Sequence, residues 1–194
     1  MADNLTSLSK PELVGLVKDL RNANQVLRGR VLLLEKHASN STGFEAEQFV
    51  AKLLNVDLTK RNAGHDLATQ NGRKIEIKGS KSNVMMIGAY QYRRWTWHNF
   101  LGIGKKPKIY DNLILVAQAD PDCRSEYRDK TSDYVVFDVP FDWGKALSQE
   151  RAKYNGRFSF PLMAKPSSAK SRRGLELWGF EVTRKELVSK YTLR

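Results

Sequence analysis

The sequence predicts an α/β protein in which a central mixed β-sheet is flanked by helices and a coiled-coil-like helical arm precedes it. The arm spans residues 1–38 and the domain 39–194. Three observations predict this: an apolar seam at helical spacing near the N-terminus, a second amphipathic helix after a polar hinge, and short apolar runs separated by turns from residue 65 onward.

The arm opens on Ser9-Lys10-Pro11-Glu12, a capping box whose hydroxyl and carboxylate satisfy free amides of a first turn. Leu13, Leu16, Leu20, Ala23, Leu27, Arg30 and Leu34 follow, six of the seven apolar. Spacing of about 3.5 residues is what a coiled-coil partner demands, and it equally suits an amphipathic helix lying on its own domain. Ala38 to Gly43 is small and polar and is expected to form a hinge. The helix after it, Thr42 to Asn55, gathers Phe44, Phe49, Val50, Leu53 and Leu54 on one face.

A hairpin comes next, with His65 to Thr69 and Arg73 to Gly79 as strands and Gln70-Asn71-Gly72 as the turn. Further strands are expected at Leu113–Ala119, Tyr134–Val139, Arg157–Leu162 and Leu175–Val182. The run Leu113-Ile114-Leu115-Val116-Ala117 is apolar without alternation, which marks a central strand covered on both faces. Lys165 to Gly174 is expected to be a mobile basic loop. Thr183-Arg184-Lys185-Glu186 is a second capping box and opens a last helix.

Lys and Arg number 33 against 21 acidic residues, a net charge of +12, and the isoelectric point is about 9.8. That surplus favours a polyanionic partner. The single cysteine, Cys123, forms no internal disulfide and excludes a zinc ribbon or finger. No apolar run approaches membrane-spanning length, so a cytoplasmic protein with no membrane partner is expected.

The hairpin carries the chemistry. Glu76 and Lys78 lie two apart on one strand and project to one face, while Ile77 points away. A two-residue turn would set Asp66 opposite Ile77. A three-residue turn, with Gly72 in the left-handed region, sets it opposite Glu76, and this register is the one expected. Carboxylates so paired, with β-carbons about 5 Å apart, can share one ion. Together with the backbone carbonyl of Ile77 they form an oxygen-rich set suited to Mg2+, with Mn2+ as a substitute. Lys78 would orient a water and face a crowded anionic phosphorus. The same residues also fit a plain charge cluster on a hairpin.

Asp66, nine intervening residues and Glu76-Ile77-Lys78 resemble the PD-(D/E)XK nuclease superfamily, and Gly43-Phe44-Glu45-Ala46-Glu47 resembles the helix that supplies its additional acid. The resemblance covers Thr42 to Lys81 and implies a restriction-endonuclease-like core. It makes Glu47 the helix acid and a further metal-site residue, Asp66 and Glu76 the metal carboxylates, and Lys78 the catalytic lysine. His65 departs from the pattern, standing where the motif has proline. Glu45 is a rival for the helix role, but it points about 200° away from Glu47.

Substrate contacts are expected from Gln91, Arg93, Arg94 and Trp97 in the aromatic and basic run Tyr90–Phe100, and from Lys81, Lys105, Lys106, Arg172 and Arg173. At least one of Trp95 and Trp97 is expected in the core instead. The resemblance then implies a magnesium-dependent endonuclease acting on double-stranded DNA, a homodimer joined through the arm, and a type II restriction enzyme in particular. A repair or recombination nuclease such as a Holliday-junction resolvase, an RNA-directed nuclease, and a catalytically silent DNA-binding protein of the same fold are the alternatives.

Overall fold

A computed structural model describes residues 9–59, 64–102, 108–151 and 159–192. The apolar run at 113–117 lies in β5 (Asn112–Gln118), the middle strand of a five-stranded sheet ordered β1-β2-β5-β6-β8. The other members are β1 (Leu67–Ala68), β2 (Lys74–Ser80), β6 (Tyr134–Pro140) and β8 (Glu181–Val182). β2 pairs β5 in parallel, and the remaining pairings are antiparallel, so the sheet is mixed. Every residue from Leu113 to Ala117 is buried, as a strand covered on both faces requires.

The two faces of β5 feed two apolar cores. Ile114 and Val116 pack with Ile75 and Ile77 of β2, with Ala46, Val50 and Leu54 of α1 (Lys10–Leu54), and with Leu187 and Tyr191 of α4 (Arg184–Tyr191). Leu113, Leu115 and Ala117 face the other core. There they meet Trp95 and Trp97 of β4 (Tyr90–His98), Phe160 and Leu162 of β7 (Ser159–Met163), Leu147 of α2 (Phe141–Arg151) and Leu177 of α3 (Arg172–Trp178). β4 is the centre of a second, antiparallel sheet between β3 (Asn83–Ile87) and β7. Residues 42–192 thus form a mixed sheet with helices on one face and a small sheet plus two short helices on the other. No helix among the described residues is long and apolar enough to cross a membrane.

The chain divides into two compact units, 1–41 and 42–194. In the first, Leu13, Val14, Leu16, Val17 and Leu20 are all exposed. The expected hinge at Ala38 to Gly43 contains the boundary between the two units, but its backbone is helical, within one helix from Lys10 to Leu54. Ser, Thr and Asn each cost a few tenths of a kcal/mol relative to Ala, and Gly about 1 kcal/mol. A helix already formed on both sides extends through such residues without a new nucleus. The helix stops at Asn55, whose φ is 53°. The Val56 amide donates to the Ala51 carbonyl (3.0 Å) and the Asn55 amide to that of Lys52 (3.3 Å), a Schellman closure.

Two other expectations fail near the C-terminus. Lys165 to Gly174 is not a featureless loop, and Leu175–Val182 is not one strand. Ser171 caps α3, its hydroxyl accepting from the Gly174 amide at 3.1 Å. Arg172 and Arg173 then pair with Glu176 one turn later, at 2.9 and 2.7 Å. Cap and pairs favour helix over the strand suggested by Leu175 and Leu177. Strands β3 and β4 and helix α2 are additions to what the sequence predicts. The last helix is as expected: Thr183 and Glu186 form both halves of its capping box.

Candidate active site

The hairpin turn has three residues. Leu67 pairs with Ile75 and Ala68 with Lys74, the Thr69 amide donates to the Arg73 carbonyl at 2.9 Å, and Gly72 has φ of 80°. A residue with a Cβ resists that conformation, so glycine closes the turn in this register. The regular pairing ends at Leu67: the Asp66 amide donates to the Ile75 carbonyl at 2.9 Å, and it is the Asp66 side chain that comes near Glu76, the two sharing the Lys108 ammonium.

Asp66 also holds the residue of β2 two beyond Ile75. Its Oδ2 accepts from the Ile77 amide at 2.7 Å, replacing the main-chain bond that a longer β1 would make. Among the described residues no strand pairs with Glu76–Ser80 on that outer edge of β2. A residue's amide and carbonyl share an edge of its strand, so the Ile77 carbonyl faces the same open side.

Glu76 is fully buried and Lys78 lies on the same face, its Nζ 2.5 Å from Glu76 Oε1. The sequence marks the fourth member only as part of a basic run of phosphate candidates, not as a partner of these acids. Lys108, from the segment before β5, reaches both acids: Nζ is 2.5 and 2.7 Å from the Glu76 oxygens and 3.4 Å from Asp66 Oδ1. The run Lys105-Lys106-Pro107-Lys108 is legible as basic, but nothing local says which lysine turns inward. Lys105 and Lys106 lie outside the described residues.

Glu47 projects from α1 within electrostatic reach of all four groups. Burial, then the Asp66 charge, pushes its carboxyl above the usual range against the opposing pull of Lys108. Glu45 is exposed, and its charge acts on Tyr134 instead. The helix comes this close because residue 79 is glycine. A Cβ there would lie 2.3 Å from the Thr42 carbonyl oxygen and 2.9 Å from Ala46 Cβ. Any larger residue would lift away the turn that carries Glu47.

The electrostatics follow from burial. Desolvation raises the Glu76 carboxyl above its ordinary value, opposed first by Lys78, with Asp66 adding to the rise and Lys108 opposing it. Burial works against the Lys108 ammonium. The Glu76 charge and hydrogen bond, with Asp66 behind them, outweigh it and hold that pKa above the usual lysine range. The donor set fits a hard divalent cation: Asp66 and Glu76 already share one positive charge, here an ammonium, and the Ile77 carbonyl adds a main-chain oxygen. Among the described residues no three His, Cys, Asp or Glu side chains converge on a single point. The shared point is therefore defined by two carboxylates, with Glu47 standing further off.

The candidate substrate residues divide. Gln91 and Lys81 are exposed. Arg93 is ion-paired to Asp120 and Asp122 at 3.1 and 3.6 Å. Arg94 is half-buried, with an Nε that finds no hydrogen-bond partner. Trp97 does not face a substrate: it is buried in the core, as is Trp95, and their indole N–H groups donate to the Val116 and Gln118 carbonyls. Alternation along β4 puts both rings inward and leaves Arg94, Thr96 and His98 on the opposite face. Arg172 is exposed apart from its Glu176 pair. Arg173 is bound to Glu150 and Glu176 and stacks over Trp143, so its charge is spent within the fold.

No protein-family model and no characterised protein matches the chain.

Proposed function

We propose that this protein is a divalent-metal-dependent endonuclease that hydrolyses phosphodiester bonds of double-stranded DNA on a restriction-endonuclease-like core. The observation that carries this is the union of Glu76, Lys78 and Asp66 on one side of the β1–β2 hairpin by the three-residue turn, with Glu47 brought to them by the approach at Gly79. A buried carboxylate beside a second acid and a lysine is costly to fold and so calls for a purpose.

Asp66, Glu76 and the Ile77 carbonyl would hold the ion. A bound Mg2+ or Mn2+ supplies positive charge to a phosphate oxygen and eases deprotonation of an attacking water. Lys78 is placed to orient that water and to face the charge that develops on the phosphoryl oxygens. Glu47, whose raised pKa suits proton acceptance, stands on the helix side of the same point. The net charge of +12 and exposed Lys81 and Gln91 suit a DNA backbone. In the arm, the exposed stripe Leu13, Leu16 and Leu20 matches a second copy of itself. A two-fold dimer brings one such site to each DNA strand, which is the reason for placing the protein with type II restriction enzymes.

Incubation of the full chain with supercoiled plasmid, with and without Mg2+, tests the proposal. Discrete metal-dependent fragments are expected, and both Glu76→Ala and Lys78→Ala should abolish them while leaving DNA binding in place. Persistent cleavage in both variants would falsify the site. Preference for synthetic branched junctions over plasmid would instead assign a resolvase.

A further inference from the structure

Lys78 touches one acid, whereas Lys108 touches two. Its Nζ occupies the one point that Glu76 and Asp66 share, which is where a divalent ion held by both would have to sit. An ammonium and a metal ion cannot both be there. Resting on the endonuclease reading above, we propose that Lys108 is a positioning residue. It holds the Asp66–Glu76 pair together before metal arrives, competes with the ion for their shared point, and swings to a DNA phosphate when the ion enters.

Three features support the exchange. Two carboxylates at cation-sharing distance repel, and on a sheet edge they would splay without a counter-charge. Lys108 supplies one, reaching 32 residues back along the chain to do so. Its root is fixed while its end is free to move. The Lys108 amide donates to the Leu101 carbonyl at 3.0 Å, and its stem lies against Gly102, where an added Cβ would come within 3.2 Å of Lys108 Cγ. The side chain is nonetheless 29% exposed, so the ammonium has a way out to solvent on a flexible four-carbon stem. The charge balance also favours departure. Even with Glu47 counted, three carboxylates face the ammonium groups of Lys78 and Lys108, so a dication added to the set leaves an ammonium without a counter-charge. A phosphate beside the site restores one. Metal and DNA binding are then coupled, and by linkage each strengthens the other by the same factor.

The test is Mn2+ titration of the full-length protein, followed by the electron paramagnetic resonance of free Mn2+, without DNA and with a short phosphorothioate-protected duplex. Lys108→Met should bind Mn2+ about tenfold more tightly than the native chain when DNA is absent. Lys108→Arg, which keeps the cation, should bind like the native chain. The duplex should tighten Mn2+ binding more in the native chain than in Lys108→Met, where only the direct contact between ion and phosphate remains. Circular dichroism reports folding; where Lys108→Met is poorly folded, Lys108→Gln and the duplex effect on the native chain carry the decision. Equal or weaker binding by folded Lys108→Met or Lys108→Gln, with Glu76→Gln still abolishing it, overturns the role of Lys108 and spares the endonuclease reading. Absence of Mn2+ binding in every protein, with and without duplex, overturns both.

Discussion

Glu76 on β2 and Asp138 on β6 are both buried carboxylates of one sheet, at 0% and 6% exposure, yet they are held in opposite ways. Asp138 accepts from the Asn112 amide at 2.9 Å and the Tyr191 hydroxyl at 2.8 Å, and Lys190 reaches its other oxygen. Those partners tie β5, β6 and α4 together, and Tyr191 is itself buried. Glu76 is held by the ammonium ends of Lys78 and Lys108, both on half-exposed side chains. Asp138 keeps two neutral donors packed in the fold even where Lys190 lets go, so it is a strut. Lysine ends can exchange, so Glu76 is a socket. Burial alone does not separate the two; the mobility of the partners does.

The largest effect should come from breaking this contrast directly. Glu76→Gln is expected to lower metal-dependent cleavage by on the order of 10³-fold with the fold intact, measured as initial rates of plasmid nicking. Asp138→Ala should do the reverse. It leaves Lys190 and the Tyr191 hydroxyl without their acceptor and should cost about 3 kcal/mol in urea unfolding, with cleavage per folded molecule unchanged. Loss of cleavage in folded Asp138→Ala, with activity kept in Glu76→Gln, would invert the assignment.

Gly79→Ala probes the socket from its helix side. The added methyl meets backbone as well as a side chain, so α1 must shift. A loss of about 1–3 kcal/mol is expected. Cleavage should fall further than Mn2+ affinity, because Glu47 moves while Asp66 and Glu76 stay paired. An equal fall in both would mean that Glu47 is itself a main ligand.

The smallest effect concerns a third, less buried carboxylate. Asp129 is hydrogen-bonded by Arg184 at 2.7 Å, and that bond is the main reason its pKa falls from 3.8 to about 2. A depressed acid pKa means that the unfolded chain binds the proton more readily. The stabilisation is thus present above pH 3.8 and lost as pH falls through about 2. Replacing Asp129 by Asn should flatten the stability curve between these values by on the order of 1 kcal/mol, since Arg184 is partly solvated. No change in acid unfolding would show the pair to be decorative.

Legibility in the sequence followed the range of the forces involved. The three-residue turn of the β1–β2 hairpin depends on Gly72 and a two-residue period, both local, and was readable. The central strand was readable because five consecutive apolar residues allow no exposed face. Lys108 was not, since its inward turn is fixed by bonds to Leu101 and packing on Gly102, which only the folded chain brings together. The burial of Trp97 was half visible: its alternation with Arg94, Thr96 and His98 is a strand signal, masked by the density of basic residues. At Ala38–Gly43 the polar composition coincides with the boundary between the two units, yet the backbone there is helical, which composition alone does not reveal.

The bond from the Ile77 amide to Asp66 has a consequence apart from the proposed chemistry. Because β1 is two residues long, it leaves β2, among the described residues, with an unpaired flank, the kind of surface on which a second polypeptide adds as a strand and aggregation begins. Asp66 takes one amide of that flank and sets a negative charge beside it. An incoming peptide strand would have to displace the acid and bury its charge, whereas a nucleic acid backbone has no amide ladder to offer. The residue proposed to hold the ion therefore also works as a gatekeeper, keeping an open sheet edge accessible to solvent and ligand without leaving it adhesive to protein.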